Sequence, residues 1–362
     1  MEIEGLESAA YTIPTERPES DGTLAWDSTT AVTAVVRAGG TSGLGLTYGA
    51  TACATLIRDT LADLVTGVDA LDVPSAWRRM VDGVRNLGRP GVASYAIAAV
   101  DVALWDLKAR LLDLPLFRLL GAARDEVPVY ASGGFTSASE DELAHELGGW
   151  VHGEGISRVK MKIAAGRGAD PHRDLRRVAR ARRAIGHDAD LMVDANGGYT
   201  RKQAVAVGRR LEDLGVTWFE EPVSSDDLDG LAEIRGLTAI DVAAGEYGHD
   251  VWYFERLAPV VDVLQADVSR CMGITEWLRA AAVAAAHNLD LSGHTAQSLH
   301  LHPACAIQNL RHVEYFHDHR RVERILFDGV VEPQGGRLRP DPSRPGVGLD
   351  LKEADAEPYR AA

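Results

Sequence analysis

A parallel (β/α) barrel, preceded by a smaller β-then-α unit, is the fold class that this 362-residue sequence predicts. Three observations carry that reading. From Val127 onward a short apolar strand ends in polar residues and a helical stretch follows, and eight such strands fall within roughly 200 residues, near the lower size limit of these barrels. The strand endings lie roughly 20 to 35 residues apart, the size of one β/α unit. The chain before Val127 lacks this rhythm.

Residues 1–125 change style several times. "STTAVTAVVRAGG" and "TSGLGLTYGA" are β-branched and punctuated by glycine, as antiparallel strands and their turn are. Between 93 and 112 the spacing becomes helical, with Ile97, Val100, Leu104, Leu107 and Leu111 three or four apart. In residues 126–324 the strands read "VPVYASGG", "ISRVKMKI", "ADLMVDANGG", "VTWFEEP", "IDVAAGE", "VDVLQADVS", "DLSGHT" and "VEYF". In the second of these, alternation puts Val159, Met161 and Ile163 on one side and Lys160 and Lys162 on the other. Residues 325–362 are rich in proline and glycine and are expected to return to the first unit.

Composition narrows the function classes. The chain is 46% hydrophobic and 25% charged, an ordinary globular balance. A net charge of −15 argues against general binding to nucleic acid or to an anionic membrane surface. No run of about 18 apolar residues is present to span a bilayer. Cys53, Cys271 and Cys305 show no CxxC spacing and read as free thiols in a reducing compartment. The acidic, proline-broken start does not resemble a signal peptide, so a soluble cytoplasmic protein is expected.

Active sites of such barrels lie at the carboxyl ends of the strands. The polar residues there are Lys160 and Lys162, Asp194 and Asn196, Glu220 and Glu221, Glu246, Asp267, His294 and Glu314. Asp194, Glu220 and Glu246 come from three successive strands, and three converging carboxylates repel unless a cation compensates. With only oxygen donors at hand, Mg²⁺ is expected, with Mn²⁺ able to substitute. Asp267 and His294 end adjacent strands, an arrangement that orients an imidazole and raises its pKa. Two lysines facing a metal-bound carboxylate have distinct uses: one stabilises the carboxylate oxygen, and the other, with its pKa lowered by burial and its charged neighbour, removes the adjacent proton. His300 and His302, in "LHLHP", read as structural residues of the following helix.

These motifs together resemble the enolase superfamily and, within it, the mandelate racemase subgroup. The resemblance rests on "AVDVALWDLKA", Lys160-x-Lys162, "VDAN", "FEEP", "AGE", "QAD" and "SGH", and it spans nearly the whole chain. It implies a modified (β/α)₇β barrel capped by an α+β domain built from both termini. It implies Lys162 as general base, Lys160 as the lysine that polarises the substrate carboxylate, and Asp194, Glu220 and Glu246 as metal ligands. It further implies His294, oriented by Asp267, as the acid–base on the opposite face, with Asn196 near the substrate and Glu314 hydrogen-bonding the substrate carboxylate when protonated. "QADVSR" lacks the strand-six lysine of muconate-lactonising and dipeptide-epimerising relatives, and Glu246 departs from the asparagine typical of glucarate dehydratases. Relatives commonly assemble as homo-oligomers, so this chain is expected to do so.

The expected chemistry is Mg-dependent removal of the proton alpha to a carboxylate, giving a metal-stabilised enediolate. Specificity in this family is set by capping loops, here Pro14 to Trp26 and then "GLTYGATA". Thr15, Glu16, Arg17, Ser20, Asp21 and Thr23 fill the first loop with hydrogen-bonding groups, which favours a sugar acid and elimination of water from it. Racemisation or epimerisation of a 2-hydroxy acid and cycloisomerisation of a sugar-acid lactone are the alternatives. A non-catalytic binding protein on the same scaffold is the second alternative, disfavoured because binding alone has no need of paired bases.

Overall fold

Three antiparallel strands open the chain in the order β1 (Gly5–Ser20), β2 (Ala25–Ala38) and β3 (Thr41–Tyr48), in a computed structural model that describes residues 1–362. The turn between β2 and β3 uses Gly39 and Gly40, both at positive φ, as their sequence suggests. The stretch Pro14 to Trp26, expected as a loop, is instead the far end of the β1–β2 hairpin. Proline is tolerated there because β1 is an edge strand and its register with β2 shifts between Pro14 and Glu19. The turn itself is closed by Asp21, whose Oδ1 accepts hydrogen bonds from the amides of Thr23 (2.6 Å) and Leu24 (2.8 Å).

The helix Val92–Leu111 lies across β3 and buries nearly its whole surface, which its alanine-rich sequence permits. Close approach explains the glycines of "GLGL": a Cβ at Gly45 would lie 2.0 Å from the carbonyl oxygen of Ala99. With the helix Val73–Gly83 these strands enclose a core of their own, containing Ile57, Trp77, Met80, Ile97 and Leu104.

The barrel is built from β4 (Val127–Gly133), β5 (Arg158–Lys162), β6 (Asp190–Asp194), β7 (Val216–Glu220), β8 (Asp241–Ala244), β9 (Val263–Ala266), β10 (Asp290–Gly293) and β11 (Leu310–Phe316). Each pairs in parallel with the next, and β11 closes on β4 through Val313–Val129 and Glu314–Tyr130. Helices connect the strands, and a last helix, His317–Leu326, follows β11. Val159, Met161, Leu191, Val193 and Phe219 point outward into the main core between strands and helices. The inward residues form layers: Tyr130, Met192, Trp218, Ala243 and Val263 pack as an apolar plug. One step toward the carboxyl ends, Lys162, Asp194 and Glu220 are direct register partners on β5, β6 and β7. The plug therefore closes the barrel floor beneath a charged layer.

The tail runs along the barrel before leaving it. β12 (Phe327–Asp328) pairs with β14 (Asp350–Leu351), and β13 (Arg337–Leu338) lies antiparallel on the start of β4. The last residues reach the N-terminal sheet, where Arg360 bridges Tyr11 and the amide of Ala10 donates to the carbonyl of Ala362 (2.8 Å). The three cysteines are free and buried, and no helix is long and apolar enough to cross a membrane.

Candidate active site at the carboxyl ends of the barrel strands

Every residue singled out at a strand end, apart from the half-buried Asn196, is buried at one mouth of the barrel. Asp194, Glu220 and Glu246 each present a carboxylate oxygen, and these atoms lie within 4.8 Å of one another. Glu221, next along the chain, is buried too; burial and the adjacent Glu246 push its carboxyl well above the ordinary range. All donors are hard oxygens on separate rigid strands, and the buried Glu221 Oε1 and Asn196 Oδ1 beside them accept no hydrogen bond from the protein. A cradle of this kind fits Mg²⁺, which takes oxygen ligands and leaves positions for substrate or water.

Lysines cross the layer to these carboxylates. Lys162 Nζ lies 2.5 Å from Asp194 Oδ2. Lys160 Nζ donates to both oxygens of Glu220 (2.9 and 2.7 Å), pairs with Glu314 at 2.9 Å, and stands 5.1 Å from the centre of the Tyr130 ring. The expectation of a lowered lysine pKa is not met by this arrangement. Burial disfavours both ammonium groups, but Glu220 and Glu314 around Lys160, and Asp194 beside Lys162, outweigh it and hold both above the usual range. Spacing along a strand shows that two amines share a side; it does not show which carboxylates they reach.

A second correction concerns Glu314. Burial favours its neutral form, yet Lys160 and then His294 hold it well below the ordinary carboxyl range. Its Oε2 accepts the amide of Thr295 (2.9 Å) and its Oε1 lies 2.9 Å from Lys160 Nζ, contacts that favour the ionised form over a protonated donor. Asn196 is half-buried at φ 45°, its amide donating to Asp194 Oδ1 (2.8 Å).

On the opposite side His294 Nδ1 lies 2.8 Å from Asp267 Oδ2, while its Nε2 faces Glu246 Oε2 at 3.3 Å. Ser269 anchors Asp267, its amide and hydroxyl each donating to Oδ1 at 2.7 Å. Burial works against the imidazolium, but Glu246 and Asp267 overcome it and push His294 up to about 9. Sequence reasoning gave Arg270 no role, yet it reaches Glu246 Oε1 (3.0 Å) and Asp267 Oδ2 (3.5 Å) between the rings of Tyr95 and Tyr247. Its place three residues after Asp267 was the available signal. His300 is structural: its Nε2 accepts the amide of Val268 (3.0 Å), and the ring packs on Trp277.

Backbone strain concentrates at the same mouth. Asn196, Glu221, Thr295 and Ala296 all have φ between 37° and 46°, directly after β6, β7 and β10. The β1–β2 hairpin leans over this end: Gly22 O accepts the amide of Arg167 (2.8 Å), and Thr136 Oγ1 donates to Asp21 O (2.7 Å).

Buried acidic triad, facing lysines and an Asp–His pair on one barrel together define a divalent-cation site for carbon-acid chemistry. The comparisons agree. The model "Mandelate racemase / muconate lactonizing enzyme, N-terminal domain" matches residues 13–121, and "Enolase C-terminal domain-like" matches residues 142–355. The chain belongs to this mandelate racemase/muconate lactonizing enzyme family of the enolase superfamily. L-talarate/galactarate dehydratase of Salmonella typhimurium is 33% identical over 297 residues, covering 81% of this chain and 72% of that protein. Its crystal structure liganded with Mg and L-lyxarohydroxamate aligns at a TM-score of 0.90 with 28% identity, over 100% of this chain and 93% of that one. The 3,6-anhydro-alpha-L-galactonate cycloisomerase of Streptomyces coelicolor is 32% identical over 361 residues, 96% of this chain and 97% of that protein. A mandelate racemase/muconate lactonizing enzyme-like protein from Rubrobacter xylanophilus aligns at a TM-score of 0.97 with 50% identity over 100% of both chains.

Proposed function

We propose that this protein is an acid-sugar dehydratase that removes the proton alpha to a carboxylate and then eliminates the β-hydroxyl as water. One observation carries the reading: Lys162 and the Asp267–His294 pair approach the same carboxylate triad from β5 and from the end of β10. Asp194, Glu220 and Glu246 would hold magnesium, which would supply a Lewis acid for the substrate carboxylate.

Lys162, once it has lost its own proton and its pairing with Asp194, takes the α-proton onto Nζ, and Lys160 supports the electron pair as it moves onto the carboxylate. The pair returns to form a carbon–carbon double bond as the β-hydroxyl leaves, and the imidazolium of His294 gives that hydroxyl its proton. The resulting enol tautomerises to a 2-keto-3-deoxy acid. Asp267 keeps the His294 tautomer and ring orientation fixed, and His294 with Arg270 keeps Asp267 and Glu246 anionic. The hairpin Ser20–Ala25 supplies polar lid groups for a polyhydroxylated chain. Kinship with a cycloisomerase supports a second reading with the same first step, in which the β C–O bond that breaks belongs to a ring, so the protonated oxygen stays on the product and no water is lost.

Incubation of the Mg-loaded protein with a panel of aldonic and aldaric acids is expected to give a 2-keto acid, trapped with semicarbazide. EDTA should abolish the signal and added Mg²⁺ restore it. Panel-wide silence, with lactone isomerisation instead, would replace the dehydratase by the second reading.

A further inference from the structure

The turn that carries His294 is strained at two consecutive residues, Thr295 (φ 46°) and Ala296 (φ 40°), neither of them glycine. A β-branched residue in that region is rare and persists only when its surroundings hold it there. Each of the two amides has a dedicated acceptor. The amide of Thr295 donates to Glu314 Oε2, and the amide of Ala296 donates to His319 Nδ1 at 3.1 Å. Glu314 belongs to the charged layer already described. His319 lies outside it, on the helix Val322 shares, His317–Leu326.

From the structure we infer that His319 is a positioning residue, holding the Thr295–Ala296 turn so that His294 meets Asp267, and that Tyr48 of the N-terminal sheet locks His319 in that role. The inference rests on His294 acting with Asp267, as proposed above.

An Nδ1 that accepts a backbone N–H must carry its lone pair there, so the His319 ring is neutral with its proton on Nε2. Burial favours that form and pushes the ring down to about 3. Ring orientation is fixed from two sides. Tyr48 stacks face to face on it, with centroids 3.5 Å apart and planes 12° apart, and Phe316 packs edge-on at 5.1 Å. One turn further along the same helix, Glu323 Oε2 accepts from Gln297 Nε2 (2.7 Å) and Ser298 Oγ (2.6 Å), clamping the first residues after the turn. Tyr48 OH also approaches Glu323 Oε1 at 3.5 Å. The turn is thus gripped by one helix face, and an aromatic ring from the N-terminal unit presses on that face. Thr295 transmits the setting to the pair, because its hydroxyl lies 3.3 Å from both Asp267 Oδ2 and His294 Nδ1.

The test reads the dyad itself. In ¹⁵N-labelled, Mg-loaded protein, the downfield Nδ1–H proton of His294 is identified by its disappearance in His294→Asn. His319→Leu, which removes the acceptor, is expected to shift that resonance upfield and broaden it. His319→Asn, which offers a carbonyl oxygen near the Nδ1 position, should restore it. Tyr48→Ala should broaden it as well, and Tyr48→Phe, which keeps the ring, should leave it in place. If His319→Leu does not fold, the Tyr48 pair carries the test alone. An unaltered Nδ1–H signal in His319→Leu or in Tyr48→Ala overturns the inference. Turnover of the aldonic and aldaric acid panel by the unmutated protein reports separately on the dehydratase reading.

Discussion

Replacing Asp267 by asparagine removes one charge and, in this structure, reverses a tautomer. Ser269 presents two donors, its amide and its hydroxyl, to Asp267 Oδ1 at 2.7 Å each. In Asp267→Asn the amide oxygen stays with those donors, and the NH₂ group turns to His294 Nδ1. That nitrogen must then accept, so the imidazole proton moves to Nε2, the atom facing Glu246 and the substrate position. Two losses add. His294, now at about 9, is stabilised as the imidazolium by a net ~3 kcal/mol relative to an ordinary histidine, shared between Glu246 and Asp267. Losing Asp267's share of that stabilisation shifts the ring toward its neutral form and so depletes the imidazolium that acts as the acid. The asparagine NH₂ also opposes a proton on Nδ1, so the doubly protonated ring that gives the hydroxyl its proton is disfavoured further; loss of the carboxylate from an Asp–His pair costs ~10⁴ in all in hydrolases. A fall of 10² to 10⁴ in dehydration is therefore expected, roughly 3 to 5 kcal/mol of barrier. Deuterium incorporation in D₂O, followed by NMR on substrate isolated before completion, should still show α-proton removal at Lys162. If Asp267→Asn retains dehydration within about threefold, the pairing of Asp267 with His294 has no catalytic use and the reasoning fails.

Two further outcomes follow from positions outside the reacting atoms. His302 Nδ1 accepts the amide of Phe117 (3.1 Å) and its Nε2–H donates to Val347 O (3.0 Å), so burial lowers it to about 4. The neutral ring contributes stability that is complete above about pH 6.5 and is lost as pH falls toward 4, about 3 kcal/mol in all. Urea denaturation should show a stability gain from pH 4 to pH 7.5 that is about 3 kcal/mol smaller in His302→Gln than in the unmutated protein; an equal gain in both would contradict it. At Gly22 a Cβ would come within 2.4 Å of the carbonyl oxygen of Ala195, so Gly22→Val must lift the hairpin from the barrel mouth. The expected result is a lower kcat/KM with a nearly unchanged Tm, and amide exchange at Arg167 about fivefold faster, as loss of roughly 1 kcal/mol of hydrogen bonding implies. Unchanged protection at Arg167 would show that the hairpin does not close that end.

The barrel was legible because its strands are covered on the outside and carry chemistry on the inside. Val159 and Met161 must face helices, which leaves Lys160 and Lys162 no direction but the interior, and the same logic places Asp194 and Glu220. Strand ends reveal position but not pairing. Lys162 meets Asp194, and Lys160 is shared by Glu220 and Glu314, only because β5, β6 and β7 align at those residues and β11 closes on β4. From that follow the two corrections, lysines held above their usual range and Glu314 held ionised. The lid was misread for a local reason: proline and charged residues signal a loop, yet on an edge strand they cost no ladder hydrogen bond. The stacking of Tyr48 on His319 left no sequence trace, the two being some 270 residues apart on elements whose contact depends on how the two units dock.

Charge balance shows why such a site needs its cation. Asp194, Glu220, Glu221, Glu246, Asp267 and Glu314 are six carboxyl groups, all buried, and they face four groups that can be positive: Lys160, Lys162, Arg270 and His294. The difference of two equals the charge of one divalent ion. Glu221 is driven toward its protonated form by burial and Glu246, which reduces that excess while the triad holds no cation. A cation held by Asp194, Glu220 and Glu246 would draw on the same carboxylates that Lys160 and Lys162 now pair with, leaving the amines to face a substrate carboxylate. Metal binding and deprotonation of the base would then be linked, because both act on the carboxylate of Asp194.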